Sequence, residues 1–350
     1  MRKTQRMSLE EISKKINISR TTLYKVINNK GYVKDSTKKI VEDALKKYKY
    51  IPNLNARDLA RHRRHTIGYV GMDYSASYFF TMMKWGLKRA TDEFGDNGLD
   101  IVIAESSHRN PEKQVEDIDR MLKEGIRDFI ISVADADVIH EKIQELREMG
   151  CNIVYLSRYA DEENRVFVGV DYYQSGVLAA EMMGKMLPDG GKVQIMVSNT
   201  LEHDIYVRMR CDGFTDEIKK YKNIEVLPVK QEVNTEQEAT EYTRYLLEQY
   251  KDLKGIFDIT YKTDTVADTL IKSGKQDKIR LVGFDLYEKI APYIRNSAVD
   301  VMISQDLPGQ AYLAAKLLFN HICYNRAFEK NNYYSRLDVI VASNLEYFEY

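Results

Sequence analysis

The 350-residue sequence predicts a multidomain chain, in which a small all-α head precedes a larger α/β body. Residues 1–65 carry 18 Lys and Arg against 6 Asp and Glu, whereas residues 66–350 carry 34 against 47. The first part also shows apolar residues at helical spacing, and the second alternates short β-rich runs with helical stretches. A basic head on an acidic body indicates that the head binds a polyanion.

The head, residues 1–51, has the pattern of a helix-turn-helix. Ser8 opens a capping box ahead of the first helix, Ser19 can cap the second, and a third helix follows Ser36. Three helices with one apolar face each can enclose a small core. The residues predicted to face inward are Leu9, Ile12, Ile16, Leu23, Val26, Ile27, Ile40, Ala44 and Leu45.

The second helix leaves polar side chains outside this core. Arg20, Thr21 and Lys25 lie near its N-terminal end, where recognition helices meet base edges. Spacing alone leaves a second interpretation open, in which the three are ordinary solvated residues.

A linker, residues 52–65, follows the head. Pro52 precedes a possible short helix at residues 53–61, which is too short to be stable alone in water. A run of basic residues then closes the linker. We therefore expect this segment to fold only when something supports it.

The body, residues 66–350, is large enough for two lobes with parallel sheets covered by helices. We predict an N-lobe at about 66–160 plus 304–330 and a C-lobe at about 161–303 plus 331–345. Strands are predicted at 67–72, 100–104, 128–133, 152–156, 192–197, 225–229, 255–258, 280–284, 300–303 and 337–341, with helices at 112–123, 174–186 and 236–249. Ligands of such sheets lie outside the carboxyl ends of the strands. Tyr78 and Phe79 follow the first strand and could stack on a sugar ring or pack in the core.

Three stretches carry a family resemblance: TLYKVIN at residues 22–28, VKDST at 33–37, and YIPN followed by ARDL within 50–59. Their combination resembles the lactose-repressor (LacI/GalR) family. The resemblance implies a periplasmic-binding-protein-like effector domain and a cytoplasmic homodimer that binds a pseudo-palindromic DNA operator. It implies that Leu59 wedges into the minor groove. The residues it assigns to DNA binding are Arg20, Thr21, Thr22, Lys25, Asn28, Asn53, Ala56, Arg57 and Leu59.

The same resemblance assigns residues to a small sugar-like effector between the lobes. Arg158 matches the family's Asp-Arg pair, but Ser157 replaces the Asp, and Thr263 replaces an Asn. These replacements and two arginines favour an acidic or phosphorylated sugar. The full predicted set is Tyr78, Phe79, Ser157, Arg158, Arg210, Thr263, Asp285 and Gln305. We expect Arg158, Arg210, Asp285 and Gln305 at strand ends on one side of the sheets. The arginines could instead form interlobe salt bridges, Asp285 could cap a helix, and Gln305 could lie solvated in a loop.

The sequence lacks the motifs that are typical of other functional classes. The sequence has no phosphate-binding glycine loop, no nucleophile elbow and no histidine spacing typical of a metal site, so we expect no cofactor, no metal and no enzyme activity. Three distant cysteines argue against a disulfide framework, and no apolar run could span a bilayer. A solute-binding receptor or a sugar-acting enzyme remains the alternative to a transcriptional regulator of carbohydrate-related genes.

Overall fold

The computed structural model describes residues 9–27, 31–48, 64–73, 78–107, 111–160, 162–198, 204–229 and 231–348. The chain divides into two compact units, Met1–Arg63 and Arg64–Tyr350. The predicted linker helix at residues 53–61 lies outside the described residues.

The first unit contains three helices: α1 Leu9–Ile16, α2 Arg20–Ile27 and α3 Asp35–Lys47. The Ser19 hydroxyl accepts the backbone N–H of Thr22 at 3.1 Å and so caps α2 as predicted. The prediction that Ile40 faces the core was wrong, because Ile40 is 52% exposed whereas Val41 is buried. Val41 and Ala44 share the helix face that packs on α1 and α2, and Ile40 lies outside that stripe.

The second unit is built on two six-stranded sheets. Strand order is β11-β5-β4-β3-β1-β2 in the first sheet and β12-β10-β9-β8-β6-β7 in the second. All pairs are parallel except β10 with β12. The strands are β1 His65–Asp73, β2 Leu99–Ser107, β3 Asp128–Ile131, β4 Asn152–Leu156, β5 Val166–Gly169, β6 Gly191–Met196, β7 Ile224–Leu227, β8 Leu253–Asp258, β9 Arg280–Phe284, β10 Val301–Ser304, β11 Asn332–Tyr334 and β12 Asp338–Ile340.

Helices cover both faces of each sheet, which gives every sheet two apolar cores. The helices are α4 Tyr78–Phe94, α5 Glu112–Lys123, α6 Ala136–Glu148, α7 Tyr172–Met186, α8 Ile205–Ile218, α9 Glu236–Gln249, α10 Thr263–Lys272, α11 Ala291–Arg295 and α12 Leu307–Tyr324. Short 3-10 helices lie at Gly95–Asn97 and Leu345–Tyr347.

The chain crosses between the two sheets three times: after β5, after β10 and after β11. We call the part built on the first sheet the N-lobe and the part built on the second sheet the C-lobe. The predicted lobe boundaries were wrong at two segments, because Val166–Gly169 and Asn332–Tyr334 pair with each other within the N-lobe sheet. Both strands are only three or four residues long, and their pairing with each other joins segments that are distant in sequence.

Candidate functional site

The outer face of α2 presents the head's candidate DNA-reading groups. Arg20, Thr21 and Lys25 are exposed, as predicted from their spacing. Tyr24 is 41% exposed beside them and was missed, although its position one turn after Arg20 could have identified it. Thr22 is half-buried, and its hydroxyl lies 2.8 Å from that of Ser19. Predicted residues outside the description are Asn28, Asn53, Ala56, Arg57 and Leu59.

Arg210 lies in the middle of helix α8, so its predicted position at a strand end was wrong. Two glycines let α7 and α8 approach closely. A Cβ at Gly176 would lie 2.0 Å from the Arg210 carbonyl oxygen, and one at Gly213 would lie 2.0 Å from the Tyr173 carbonyl oxygen. This contact of the two helices fixes the backbone from which the Arg210 side chain extends.

The Arg210 guanidinium is held among aromatic rings. The residue is only 7% exposed, and its Cζ lies 4.1 Å from the ring centre of Phe284 and 4.7 Å from that of Tyr172. Its Nε–H donates to Ser175 Oγ at 3.3 Å. Ring faces stabilise a desolvated cation without neutralising it, so the positive charge stays available to a bound group.

Asp285 directly follows β9 in a left-handed conformation, with φ at 59°. Its carboxylate accepts hydrogen bonds from Gln305 Nε2–H at 2.5 Å and from the Tyr261 hydroxyl at 3.2 Å. Burial raises the pKa of Asp285 to about 6, although the Gln305 hydrogen bond and the Arg210 charge act in the opposite direction. Tyr261 was missed because nothing in its sequence context separates it from a solvated loop residue.

Gln305 follows β10 and completes a group of three buried polar side chains with Arg210 and Asp285. Its side-chain Nε2–H and its backbone N–H both donate to Asp285. Its Oε1 is shielded from solvent and accepts no hydrogen bond from the residues that the structure describes. A buried acceptor without a hydrogen bond destabilises the folded protein until a donor binds it.

Ser157 and Arg158 follow β4 in the N-lobe, and both bind other protein groups. The Ser157 hydroxyl donates to Gln310 Oε1 at 3.0 Å. Arg158 Nη1–H donates to Asp204 Oδ2 at 3.0 Å, which joins the N-lobe to the cap of α8 in the C-lobe. Burial opposes ionisation of Asp204, but the Arg158 charge and the Val207 backbone N–H hold the pKa of Asp204 below its ordinary value. The interlobe salt bridge considered for Arg158 is therefore present.

Thr263 begins α10 and is fully buried. Its hydroxyl donates to Asp258 Oδ2 at 2.6 Å, and Thr260 donates to the other carboxylate oxygen of Asp258. The hydroxyl of Thr263 is thus engaged at the end of β8. Tyr78 and Phe79 begin α4, and their side chains lie outside the description.

The chain matches two protein-family models. A model of bacterial regulatory proteins of the lacI family matches residues 8–53, and a model of a periplasmic binding protein domain matches residues 67–326. The chain belongs to the LacI family. It is a transcriptional regulator with a DNA-binding helix-turn-helix head and a periplasmic-binding-protein-like body, as the sequence resemblance implied.

Two curated relatives align with most of this LacI-family chain. It is 25% identical over 291 residues to catabolite control protein A of Priestia megaterium, covering 80% of this chain and 82% of the relative. It is 24% identical over 320 residues to the sucrose operon repressor of Lactococcus lactis subsp. lactis, covering 90% and 93%. These relatives are regulators and not enzymes.

Solved structures share the fold of the LacI-family body. A periplasmic solute-binding protein of Actinobacillus succinogenes 130z with bound D-allose aligns at a TM-score of 0.73 and 17% identity, over 81% of this chain and 100% of that chain. The arabinose-binding protein AraP of Geobacillus stearothermophilus aligns at 0.71 and 19%, over 82% and 100%. At these identities the likeness concerns the fold alone.

Over the residues with described positions, no group of three or more His, Cys, Asp or Glu is placed to hold a metal ion. Within the same part of the chain, no helix has the length and apolarity needed to cross a bilayer.

Proposed function

We propose that this regulator represses carbohydrate-related genes and that a small polyhydroxylated effector between its lobes sets its affinity for DNA. The observation that carries the proposal is the group formed by Arg210, Asp285 and Gln305. Together they offer a buried cation, a buried carboxylate and an acceptor that receives no hydrogen bond from the described residues. A ligand with adjacent hydroxyls donates to Asp285 and to Gln305 Oε1 while it accepts from Arg210.

We infer a neutral effector rather than an acidic or phosphorylated one. The prediction of an anionic sugar rested on the replacements at Ser157 and Thr263 and on two available arginines, but Asp204 pairs with Arg158. Arg210 remains, and the nearby Asp285 balances its charge whenever that carboxyl is ionised. A second anion in this group would face Asp285, which disfavours it.

On the DNA side, we propose a homodimer on a pseudo-palindromic operator, one head per half-site. Arg20, Thr21 and Lys25 are exposed at the N-terminal half of α2, which supports a role in reading base edges. Each base contact of this kind contributes about 1–3 kcal/mol of discrimination. Asn28 and Asn53 are proposed to assist, and Leu59, flanked by Ala56 and Arg57, is proposed as the minor-groove wedge.

We propose that the effector is bound and released without chemical change. The named relatives are regulators, which supports this view. Nuclear magnetic resonance spectra of a ligand recovered after incubation with the protein test it, and any product peak that the Arg210→Met variant fails to generate would contradict it.

A thermal-shift screen tests the effector class. The probes are D-ribose, D-glucose, D-galactose, D-galacturonate and D-glucose 6-phosphate. A ligand at 100 times its Kd stabilises the folded protein by about 2.7 kcal/mol, which is readily measured. We expect a response to a neutral sugar that Arg210→Met abolishes. The matched control is Arg208→Met, an exposed arginine on the same helix, which keeps the response.

Two outcomes of the screen would contradict the proposal. A response confined to D-galacturonate or D-glucose 6-phosphate would refute the neutral effector and restore the two-arginine interpretation. A full response in Arg210→Met would remove Arg210 from the site.

A further inference from the structure

The three crossings between the lobes are joined by polar side chains that are buried or half-buried. Gln305 lies in the second crossing, after β10, and Ser335 lies in the third, after β11. Gln310, on the first turns of α12, is 1% exposed and lies between them. None of the effector predictions includes Gln310 or Ser335.

Hydrogen bonds connect these side chains in a continuous series. Gln310 Nε2–H donates to the Gln305 carbonyl oxygen at 2.7 Å and to Ser335 Oγ at 3.2 Å. Ser335 Oγ–H donates to the same carbonyl oxygen at 3.0 Å. Gln310 Oε1 accepts from the Ser157 hydroxyl at 3.0 Å. The amide of Gln310 thereby uses both of its donor hydrogens and its acceptor.

The first crossing is tied to the same series. The Tyr172 hydroxyl, at the start of α7, donates to the Ser157 carbonyl oxygen at 2.5 Å. The Ser335 backbone N–H donates to the Gly169 carbonyl oxygen at the end of β5 at 2.7 Å. Every segment that links the two lobes therefore shares one hydrogen-bonded network.

We propose that Gln305, Gln310, Ser335 and Ser157 form a latch that holds the angle between the lobes and transmits the state of Asp285 to it. Gln305 belongs to both parts, because its side chain binds Asp285 and its carbonyl oxygen binds the latch. A hydrogen-bonded network that includes all three crossings resists partial rearrangement, so the lobes change angle when the network changes as a unit. Only the naming of Asp285 as an effector group rests on the proposed function.

Distances between spin labels test the latch without effector or DNA. Glu148→Cys on α6 and Glu248→Cys on α9 place one label on each lobe at exposed positions, in a Cys323→Ser background. Cys151 and Cys211 are buried and do not compete for label. The labelled chain is diluted into excess unlabelled chain, so that the measured distances arise within one chain. Pulsed electron-electron double resonance then gives the distribution of distances between the two lobes.

We expect Gln310→Met, which keeps the side-chain length but removes the hydrogen bonds, to shift this distribution or broaden it about twofold. Gln237→Met, at an exposed glutamine on α9, is the matched control and leaves it unchanged. An unchanged distribution in folded Gln310→Met would overturn the latch. If Gln310→Met does not fold, Ser157→Ala removes a single hydroxyl, and an unchanged distribution in that variant would overturn it.

A double-mutant cycle tests the link to Asp285. Asp285→Asn replaces the carboxylate that binds Gln305, and we expect it to alter the distribution in the chain with an intact latch. If the latch transmits the state of Asp285, Asp285→Asn has no further effect on the distance distribution in the Gln310→Met background. Equal shifts in both backgrounds would overturn the transmission. Because this test uses no ligand, its failure is distinct from a failed effector screen.

Discussion

The two lobes differ in what their predicted effector-binding residues contact. In the C-lobe, Arg210, Asp285 and Gln305 converge, and this group keeps a buried cation and an acceptor with no described donor. In the N-lobe, the Ser157 hydroxyl binds Gln310 and Arg158 binds Asp204. We therefore propose that the C-lobe supplies most of the polar recognition of the effector, whereas Arg158 joins the lobes through Asp204 and Ser157 is engaged by Gln310.

Among the variants that test this contrast, Asp285→Asn is expected to change effector affinity most. The carboxylate is the strongest acceptor of the C-lobe group, and hydrogen bonds to a charged group contribute about 1.5–3 kcal/mol each. We expect the affinity for the effector to fall about 100-fold, as measured by isothermal titration calorimetry. Retained affinity would show that the effector does not contact this carboxylate.

Gly176→Ala tests whether the close approach of α7 and α8 positions Arg210. The added Cβ would lie 2.0 Å from a backbone oxygen, so the helices must separate. We expect the free energy of unfolding in urea to fall by about 1–3 kcal/mol. Gly95→Ala is the control, because its Cβ would meet only Thr91, at 3.9 Å. Equal stabilities of the two variants would contradict the packing role.

The pH dependence of effector binding tests the buried carboxylate of the C-lobe group. The raised pKa of about 6 means that Asp285, faced by Arg210, Tyr261 and Gln305, is mostly protonated at pH 5. If the ionised form accepts the effector's hydroxyls, affinity is about tenfold lower at pH 5 than at pH 7. Titration calorimetry from pH 5 to 8 measures this, and Asp285→Asn is expected to flatten the profile.

The same raised pKa determines how the contribution of Asp285 to the free energy of unfolding changes with pH. The folded protein binds this proton more tightly than the unfolded chain, whose aspartate keeps the ordinary pKa of 3.8. The contribution of Asp285 to the free energy of unfolding is therefore largest below pH 3.8 and is lost as pH rises through about 6. Asp285→Asn is expected to remove this slope from urea titrations, and an unchanged slope would assign it to other groups.

The smallest effect is expected from Arg158→Met. Because Arg158 already pairs with Asp204 and lies over the Tyr206 ring, its loss changes effector affinity by only about threefold. Its loss leaves Asp204 without this partner. We therefore expect the interlobe distance distribution to shift, although the affinity changes little. A 100-fold loss of affinity in calorimetry would place Arg158 in the effector site and break the contrast between the lobes.

Local sequence signals predicted much of the fold. The helices at Glu112–Lys123 and Glu236–Gln249 have the predicted bounds, because the apolar spacing that predicts them is local. The site was harder to predict, since the partner of Ser157 is Gln310, 153 residues away, and that of Arg158 is Asp204, 46 residues away. Strand ends identified Asp285 and Gln305, but only the tertiary contact of two helices brings Arg210 beside them.

The central claim is that the C-lobe group couples effector binding to DNA binding. Fluorescence anisotropy with a duplex selected from a random-sequence pool, with and without the sugar found by thermal shift, tests it most directly. We expect the sugar to change the DNA affinity of the unmodified chain by about 5–150-fold. Arg210→Met should bind the duplex equally well without sugar and show no change with it. A full change in Arg210→Met, or a bound sugar that leaves DNA affinity unaltered in the unmodified chain, would contradict the claim.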